Sequence, residues 1–217
     1  MRRLVVGTFV SMDGVMQAPG GPDEDREGGF EHGGWLVPYF DDALLDNVTV
    51  WVEQAGGFLL GRKTYEIFAG SWPNSTDPND RVAVALNTRP KYVASTTLGG
   101  VDWNNSALLE GDVVEAVRNL KAEDGGEIQV HGSCELLQTL LKHDLVDSLR
   151  VWTFPVVIGT GKRLFGKGTI PGAYDLVDTQ RNTTGAVLHV YDRAGALRYG
   201  EVEVGQDTVV FDGGNGH

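Results

Sequence analysis

The stretch that decides the fold is residues 58–66, which read FLLGRKTYE. The apolar run at its start is typical of a short buried strand, Gly61 permits a turn, and the residues that follow have the pattern of a helix. Backbone N–H groups at the start of a helix point towards anions, and Arg62 and Lys63 would add charge-assisted hydrogen bonds there. This junction indicates a strand followed by a helix. Alone it is either an ordinary turn with solvated cations or part of a binding site for a phosphorylated ligand, and similar junctions elsewhere in the chain favour the binding site.

Two further junctions repeat the combination of a strand end with glycine. Residues 130–133 read VHGS, in which Gly132 allows a close backbone approach and Ser133 is suited to capping a helix or meeting a ligand. Residues 155–163 read PVVIGTGKR, a glycine-rich loop that ends in two cations. Ligands of open α/β sheets bind beyond the carboxyl ends of the strands, so we expect the three junctions to surround one cleft.

The order of elements predicts a single domain over residues 1–204. Strands are predicted at 4–10, 58–60, 91–95, 127–131, 147–157, 174–181, 186–191 and 197–204, and helices at 39–54, 62–69, 113–121 and from 133 onwards. This order indicates an α/β fold with a mostly parallel central sheet, helices on both faces and an antiparallel C-terminal edge. We expect the long loop 14–34 to be functional and residues 205–217 to form a flexible tail.

The charge and cysteine content exclude several classes of protein. The chain has 18 Lys and Arg against 30 Asp and Glu, a net charge of −12, which argues against binding nucleic acid or an anionic membrane surface. The one cysteine, Cys134, cannot form an internal disulfide, and neither HExxH nor CxxC occurs, so we predict no metal site. The apolar N-terminal segment has no signal-peptide cleavage site, and we therefore expect a cytoplasmic protein.

Single side chains near the predicted strand ends allow two interpretations each. Asp13 directly follows the first strand, where it either forms an ordinary Asp-Gly turn or faces the cleft. His131 ends a strand, where a half-buried structural histidine is more common than a catalytic base. Trp35, Tyr39 and Phe40 either wall a pocket for a flat ring or belong to the core.

Six motifs occur together in one order along the chain. They are SMDG (11–14), LGRKTYE (60–66), KYVAS (91–95), HGS (131–133), LVD (145–147) and PVVIGTGKRLF (155–165). With them the chain resembles the dihydrofolate reductase-like superfamily. Over residues 2–192 it is most similar to stand-alone proteins that resemble the reductase domain of the riboflavin-biosynthesis deaminase-reductase. The resemblance implies a three-layer fold, NADPH as hydride donor, a small-molecule substrate and a homodimer.

The resemblance also implies roles for particular residues. Those it assigns to the cofactor or the cleft are Gly61, Arg62, Lys63 and Thr64 at the phosphates, Ser95 and Thr96 near the adenosine ribose, Gly132 and Ser133 at the pyrophosphate and nicotinamide, and Gly159, Thr160 and Gly161 along the cleft. The loop 14–34 would be a mobile lid. Relatives often have arginine where this chain has Thr96, which leaves the preference for NADP over NAD open.

The proton donor is the second functional group that the resemblance implies. Dihydrofolate reductases use a helix carboxylate, for which Asp42 is the nearest candidate, with Thr153 as its hydrogen-bond partner; Asp13 and water are the alternatives. The prediction is an NAD(P)H-dependent reductase of a small heterocyclic (pterin- or ribosylaminopyrimidine-like) or carbonyl substrate. A non-catalytic nucleotide- or pterin-binding module with the reductase fold, and a dimeric structural protein, are the other hypotheses.

Overall fold

A computed structural model describes residues 1–204 and 209–212, which form ten strands and five α-helices. In chain order these are β1 (Leu4–Ser11), α1 (Asp42–Glu53), β2 (Gly57–Gly61), α2 (Arg62–Ser71), α3 (Arg81–Thr88), β3 (Lys91–Ala94), β4 (Ser106–Leu108), α4 (Val113–Ala122), β5 (Ile128–His131), α5 (Cys134–Lys142), β6 (Ser148–Phe154), β7 (Ala173–Arg181), β8 (Val187–Gly195), β9 (Glu201–Val204) and β10 (Val209–Asp212). None of the helices in the described ranges is long and apolar enough to cross a bilayer.

Eight strands form one central sheet in the order β4-β3-β2-β5-β1-β6-β8-β7. The first six strands of this order, from β4 to β6, are parallel to one another. Strand β8 pairs antiparallel with both β6 and β7. The prediction of a mostly parallel sheet with an antiparallel C-terminal edge is therefore confirmed. Strand β1 lies in the middle of the sheet, so its carboxyl end opens into the centre of the molecule.

The two faces of the sheet bury different helices because successive side chains of a strand point in opposite directions. Leu4 and Val6 of β1, with Ile128 and Val130 of β5, pack against α4 and α5. On the opposite face, Phe58 of β2 packs against α1 and α3. Helices on both faces confirm the predicted three-layer architecture.

Two elements, α3 and β4, are absent from the sequence prediction. Helix α3 has a short apolar stripe that is mostly alanine and valine, and the carboxylate of Asp80 caps it by accepting a hydrogen bond from the backbone N–H of Ala83, at 2.9 Å. Strand β4 has only three residues, too few for an alternating pattern to be recognised. Both elements owe their stability to the packing around them and not to a strong local signal.

The C-terminal part differs from the prediction of a strand at 197–204 that continues the antiparallel ribbon. Strand β9 pairs with β10 in a separate two-stranded sheet, in which Val204 is opposite Val209. The antiparallel edge of the main sheet is completed by β7 and β8 alone. The prediction of a flexible tail falls largely on 205–208 and 213–217, which lie outside the described residues.

Candidate functional site

A cleft of about 930 Å³ opens at the carboxyl ends of the parallel strands β1, β2, β3 and β5. Its floor is formed by the ends of these strands, and one wall by helix α1. The N-termini of α2 and α5 and residues 16–27 of the long loop complete its lining. The first two junctions meet at this cleft, and the third contributes Lys162 to its lining.

Ser133 joins the starts of α2 and α5 within the cleft. Its hydroxyl accepts a hydrogen bond from the backbone N–H of Gly61, at 2.8 Å, and donates one to the hydroxyl of Thr64, at 2.9 Å. A Cβ atom at Gly61 would lie 3.3 Å from the Ser133 side chain, so this close approach favours glycine. Two groups of residues that are 69 or more positions apart in sequence therefore form one surface with two helix N-termini.

The turn from β5 into α5 has an unusual backbone. Gly132 has φ +62°, and Ser133 has φ 59° and ψ 56°, so two consecutive residues are in the left-handed region. This conformation is costly for a residue with a Cβ atom, and it persists only where surrounding contacts hold it. The two hydrogen bonds of the Ser133 hydroxyl are such contacts, and they couple the strained turn to the surface of the cleft.

Ser95 and Thr96 line the cleft at the end of β3. The hydroxyl of Ser95 accepts hydrogen bonds from the backbone N–H groups of Thr97, at 3.1 Å, and Leu98, at 3.0 Å. These bonds hold the chain in a tight turn as it leaves the strand. The turn leaves the backbone of this segment at the edge of the cleft, near the helix starts described above.

Four charged side chains meet at the mouth of the cleft. The ammonium group of Lys63 lies 3.3 Å from Asp25 Oδ1 and 2.5 Å from Glu27 Oε2. The ammonium group of Lys162 lies 2.8 Å from Asp25 Oδ2 and also contacts Glu27. Arg62 also lines the cleft, and its guanidinium group lies 4.0 Å from Glu66 of its own helix.

Contacts within the cluster shift the pKa values of Asp25, Glu27 and Lys162 towards their charged forms. Burial alone would raise the pKa of Asp25, but the hydrogen bond from Lys162 and the charges of both lysines outweigh it, and the pKa is below its usual value. Hydrogen bonds from Lys162 and Lys63 lower the pKa of Glu27. Burial opposes the positive charge of Lys162, yet its two acidic partners raise its pKa. Asp25, Glu27 and Lys162 are therefore charged at neutral pH.

His131 lies on the floor of the cleft with a single hydrogen bond, from its Nε2 to Gln129 Oε1, at 2.9 Å. The amide nitrogen of Gln129 donates to the carbonyl of Trp51 and to Glu127 Oε1. Because these partners only accept, the amide oxygen must face His131, and Nε2 of the histidine carries the proton. Nδ1 is then an acceptor, and it has no partner within the described residues.

The ring of His131 is kept uncharged by its surroundings. Trp51 and Phe58 flank it with ring centroids 5.6 and 5.7 Å away. Burial between these rings, together with the nearby positive charge of Arg150, lowers the pKa of His131 to about 4. At neutral pH the floor of the cleft therefore presents a neutral imidazole, which cannot act as a strong acid.

The wall formed by α1 is apolar. Leu45 of α1 and Phe40, two residues before the helix, line this side of the cleft. They are 45% and 43% exposed, which leaves much of their apolar surface uncovered. Deeper in the cleft, the ring of Trp51 lies so close to Gly7 that a Cβ atom there would be 2.4 Å from it. The indole N–H of Trp51 is buried without a hydrogen-bond partner in the described structure. This wall suits a flat, largely apolar ring.

Of the three aromatic residues that could form a pocket wall or belong to the core, two lie in the core and one lines the cleft. Trp35 and Tyr39 pack edge-to-face on Phe154 in the core, with centroids 5.6 and 6.2 Å away. Phe40 lines the cleft. Tyr39 and Phe40 are neighbours in sequence, so no pattern in the chain could show that one belongs to the core and the other to the cleft. Both lie just before α1, which begins at Asp42.

The loop 155–163 differs from the expectation that Gly159, Thr160 and Gly161 line the cleft. None of the three belongs to the cleft lining; Lys162 does. A Cβ atom at Gly161, whose φ is +112°, would lie 2.8 Å from the ring of Phe30, so this glycine is needed for packing beneath the long loop. The glycines shape the loop, and the cation that follows them reaches the cleft.

Asp13 lies outside the cleft lining and holds the loop 155–163 in place. Its carboxylate accepts hydrogen bonds from the Ser11 hydroxyl, at 2.6 Å, and from the backbone N–H groups of Ile158, at 3.1 Å, and Gly159, at 2.9 Å. Arg163 also contacts it, at 3.2 Å. The hydrogen bonds from Ser11 and Ile158 place the pKa of Asp13 well below its usual range. The carboxylate therefore has a structural role.

Asp42 also lies outside the cleft lining, exposed in the first turn of α1. The hydrogen bond expected between Asp42 and Thr153 is absent from the described structure. Its neighbour Asp41 instead caps the helix and accepts hydrogen bonds from the backbone N–H of Thr183, at 2.9 Å, and from the hydroxyl, at 2.6 Å. The helix begins three residues later than predicted, so Asp42 is its first residue.

Glu24 is a cleft residue that the sequence analysis does not single out. Its Oε2 accepts hydrogen bonds from the backbone N–H groups of Gly20, at 2.6 Å, and Gly21, at 3.1 Å. Burial raises its pKa above the usual value in spite of these bonds. It lies in a loop without periodicity, where no sequence signal separates it from the acids around it.

Comparison with known proteins identifies relatives over almost the whole chain. The sequence model of the RibD C-terminal domain family matches residues 2–188. The Bacillus subtilis protein YyaP, described as uncharacterized, is 27% identical over 192 residues, which is 88% of this chain and 94% of YyaP. The uncharacterized protein YwjB of the same organism is 25% identical over 193 residues, 89% of this chain and 99% of YwjB.

Two solved structures with similar folds illustrate the comparison. A putative riboflavin biosynthesis protein from Shewanella sp. PV-4 superposes with a TM-score of 0.64 at 21% identity, over 88% of this chain and 98% of that one. A bifunctional deaminase/reductase from Thermotoga maritima gives a TM-score of 0.59 at 13% identity, over 89% of this chain and 57% of that one. At these identities the similarity establishes the fold.

Proposed function

Because the chain belongs to the RibD C-terminal domain family, we propose that it is an NAD(P)H-dependent reductase of a small heterocyclic (pterin- or ribosylaminopyrimidine-like) or carbonyl substrate. The observation that carries the proposal is the division of the cleft. One end has two helix N-termini and cations, which suit phosphates, and the other has an apolar wall, which suits a flat ring. A dinucleotide cofactor bound beside a heterocyclic substrate likewise has phosphates in one part and flat rings in the other.

The residues at the polar end fit NADPH. The helix starts at Gly61 and Ser133, joined by a hydrogen bond of 2.8 Å, direct backbone N–H groups towards one region for the pyrophosphate. Lys63 adds positive charge, and we assign the segment at Ser95 and Thr96, which lines the cleft, to the adenosine ribose. A cleft of about 930 Å³ is near the upper end of ligand-binding pockets. When bound, NADPH supplies the hydride.

The residues at the apolar end position the substrate. Phe40 and Trp51 contact the faces of a ring, and the Nδ1 acceptor of His131 selects a substrate with an amino or N–H donor. Reduction also requires a proton, for which Glu24, a cleft carboxyl whose pKa is raised by burial, and water are the candidate donors. We retain the homodimer and the cytoplasmic location as predictions.

Binding and turnover test the proposal separately. The chain has five tryptophans, and quenching of their fluorescence during titration with NADPH and with NADH measures both dissociation constants. We expect binding in the micromolar range, and the ratio of the two constants determines the NADP or NAD preference. Loss of NADPH absorbance with a panel of pterins, ribosylaminopyrimidines and quinones measures turnover. Failure of both cofactors to bind at high micromolar concentration would contradict the proposal.

A non-catalytic nucleotide- or pterin-binding module is the second candidate function. The observation that favours it is the position of Asp13 and Asp42, since both carboxylates expected to deliver the proton lie outside the cleft lining. Such a module would bind NADPH with a rise in melting temperature, but would not oxidise it with any member of the panel. Oxidation above the rate without protein excludes this candidate.

A further inference from the structure

The lysines at the mouth of the cleft are bound to carboxylates of the chain itself. Lys63, which the sequence pattern assigns to a phosphate, contacts Asp25 and Glu27 at 3.3 and 2.5 Å. Lys162 contacts the same two acids, at 2.8 Å from Asp25. All four residues line the cleft. The two cations come from different strand-to-loop junctions and converge on one pair of acids from the long loop.

The geometry of the cluster is that of an anion-binding site. Oxygens of Asp25 and Glu27 accept charge-assisted hydrogen bonds from two ammonium groups, as phosphate oxygens do. A phosphate placed between the lysines would come close to both carboxylates, and like charges at such distances repel. The acids and a ligand phosphate therefore exclude each other from the two lysines.

We propose that Lys63 and Lys162 form a binding site for a phosphate group of the ligand, and that Asp25 and Glu27 occupy this site until the ligand displaces them. The identification of the ligand as NADPH rests on the proposed function; the anion site itself does not. Lys162 thereby becomes a ligand-binding residue, and the long loop an internal competitor for the site.

The surrounding contacts allow the acids to leave without unfolding the loop. Gln17 holds the backbone of the segment by donating from its amide to the carbonyls of Asp25, at 3.1 Å, and Glu27, at 3.0 Å. The next residues, Gly28 and Gly29, are exposed and have φ of +70° and +76°. Rotation of the two acidic side chains frees both lysines and breaks one hydrogen bond within the loop, from the backbone N–H of Glu27 to Asp25 Oδ1, at 3.1 Å. The backbone anchor at Gln17 stays in place.

The first test removes the competing charges with the double variant Asp25→Asn/Glu27→Gln. If the acids occupy the site about 90% of the time, the apparent Kd for NADPH falls about tenfold in the variant. The matched control is Asp23→Asn in the same loop, because Asp23 pairs with Arg26 and does not line the cleft; its Kd should equal that of the wild type. An unchanged or higher Kd in the double variant overturns the proposal.

The salt dependence of binding gives a readout that a purely structural role of the acids would not change. In the wild type, ligand phosphates replace carboxylates at the same lysines, so few ionic contacts are gained. In the double variant the contacts are new, and NaCl should weaken binding more steeply. Equal slopes for the wild type and the double variant contradict the proposal.

The second test separates a binding role of Lys162 from a role in holding the loop alone. With a binding role, Lys162→Gln weakens NADPH binding several-fold. With a loop-holding role alone, the same substitution frees the acids and tightens binding, which overturns the proposal. Lys167→Gln is the matched control, since Lys167 is exposed in the same glycine-rich segment and does not line the cleft. Circular dichroism spectra and melting temperatures show whether each variant is folded.

Inorganic pyrophosphate is the second probe and separates this proposal from the proposed function. If the wild type binds no NADPH but the double variant binds pyrophosphate more tightly than the wild type does, the anion site stands and the reductase fails. If the wild type binds NADPH but the double variant binds neither probe more tightly, the reductase stands and the internal competition is wrong.

Discussion

At the scale of single residues, the neighbours of a side chain decide its chemistry. The ring of His131 is uncharged because Trp51 and Phe58 exclude water from it, and its tautomer is set by Gln129. The sequence pattern favours a half-buried structural histidine at this position. In the described structure, one ring nitrogen is also free to accept a hydrogen bond within the cleft. This arrangement depends on residues from three different elements.

The lowered pKa of His131 predicts a particular dependence of stability on pH. In the unfolded chain the histidine takes up a proton near its ordinary pKa of 6.5, but in the folded chain only near 4. Between these values the unfolded state binds more protons, so stability falls as the pH decreases from about 6.5 to 4, by up to about 3 kcal/mol. Urea unfolding at pH 7 and pH 4.5 measures the difference.

The substitution His131→Gln removes this titration and should leave a smaller loss of stability between the two pH values. His143→Gln is the matched control, since His143 is exposed after α5 and should keep the wild-type pH dependence. Identical pH dependence in the wild type and His131→Gln would show that the histidine is not held neutral.

The contact between Gly7 and Trp51 predicts a second effect at this scale. In Gly7→Ala the added methyl group would overlap the indole ring, so we expect a loss of about 1–3 kcal/mol of stability and altered tryptophan fluorescence. Gly70→Ala is the matched control, because no atom lies within 4 Å of its added Cβ inside α2; there we expect a gain of up to about 1 kcal/mol. Equal stability of the two variants would contradict the contact.

At the scale of elements, the cleft depends on how strand-to-helix turns are joined. The turns β2–α2 and β5–α5 meet through Ser133, and the loop 155–163 is held to the end of β1 by Asp13. Each turn can be recognised in the sequence, because glycine at a strand end is a local signal. The strand order of the sheet decides which turns touch. It also places Asp13 where its carboxylate holds the loop 155–163.

Removing the hydroxyl of Ser133 should weaken this junction. In Ser133→Ala the backbone N–H of Gly61 loses its acceptor, and we expect a loss of about 1–2 kcal/mol of stability and weaker NADPH binding. Ser71→Ala in the exposed end of α2 is the control and should match the wild type in both respects. Urea unfolding and fluorescence titration measure the two effects. Wild-type stability in Ser133→Ala would show that the junction does not depend on the hydroxyl.

At the scale of the whole molecule, the eight-stranded sheet is complete before β9 begins. Strands β9 and β10 form a sheet of their own, and the family match ends at residue 188. We therefore predict that a chain ending at Gly200 keeps NADPH binding and a Tm within about 4 °C of the full chain, equivalent to about 1 kcal/mol or less for this size.

A chain ending at Gly185 is the control for this truncation. It lacks β8, which pairs with both β6 and β7 and contributes the buried Leu188 to the core, and it should not fold. Thermal unfolding followed by circular dichroism tests both chains. A cooperative transition at the wild-type Tm in the shorter chain, or its loss in the longer one, would contradict the prediction.

The sequence by itself determined the order of most strands and helices, the parallel sheet, and the strand ends around which the cleft forms. These depend on the period of apolar residues and on glycine at turns, which act over a few neighbouring positions. Tertiary structure alone decided which charged side chains face the cleft. Lys162 meets Asp25 across 137 positions, whereas Asp13 and Asp42 do not line the cleft. The direction of a side chain in a loop depends on packing between distant segments, and that packing exists only once the sheet has formed.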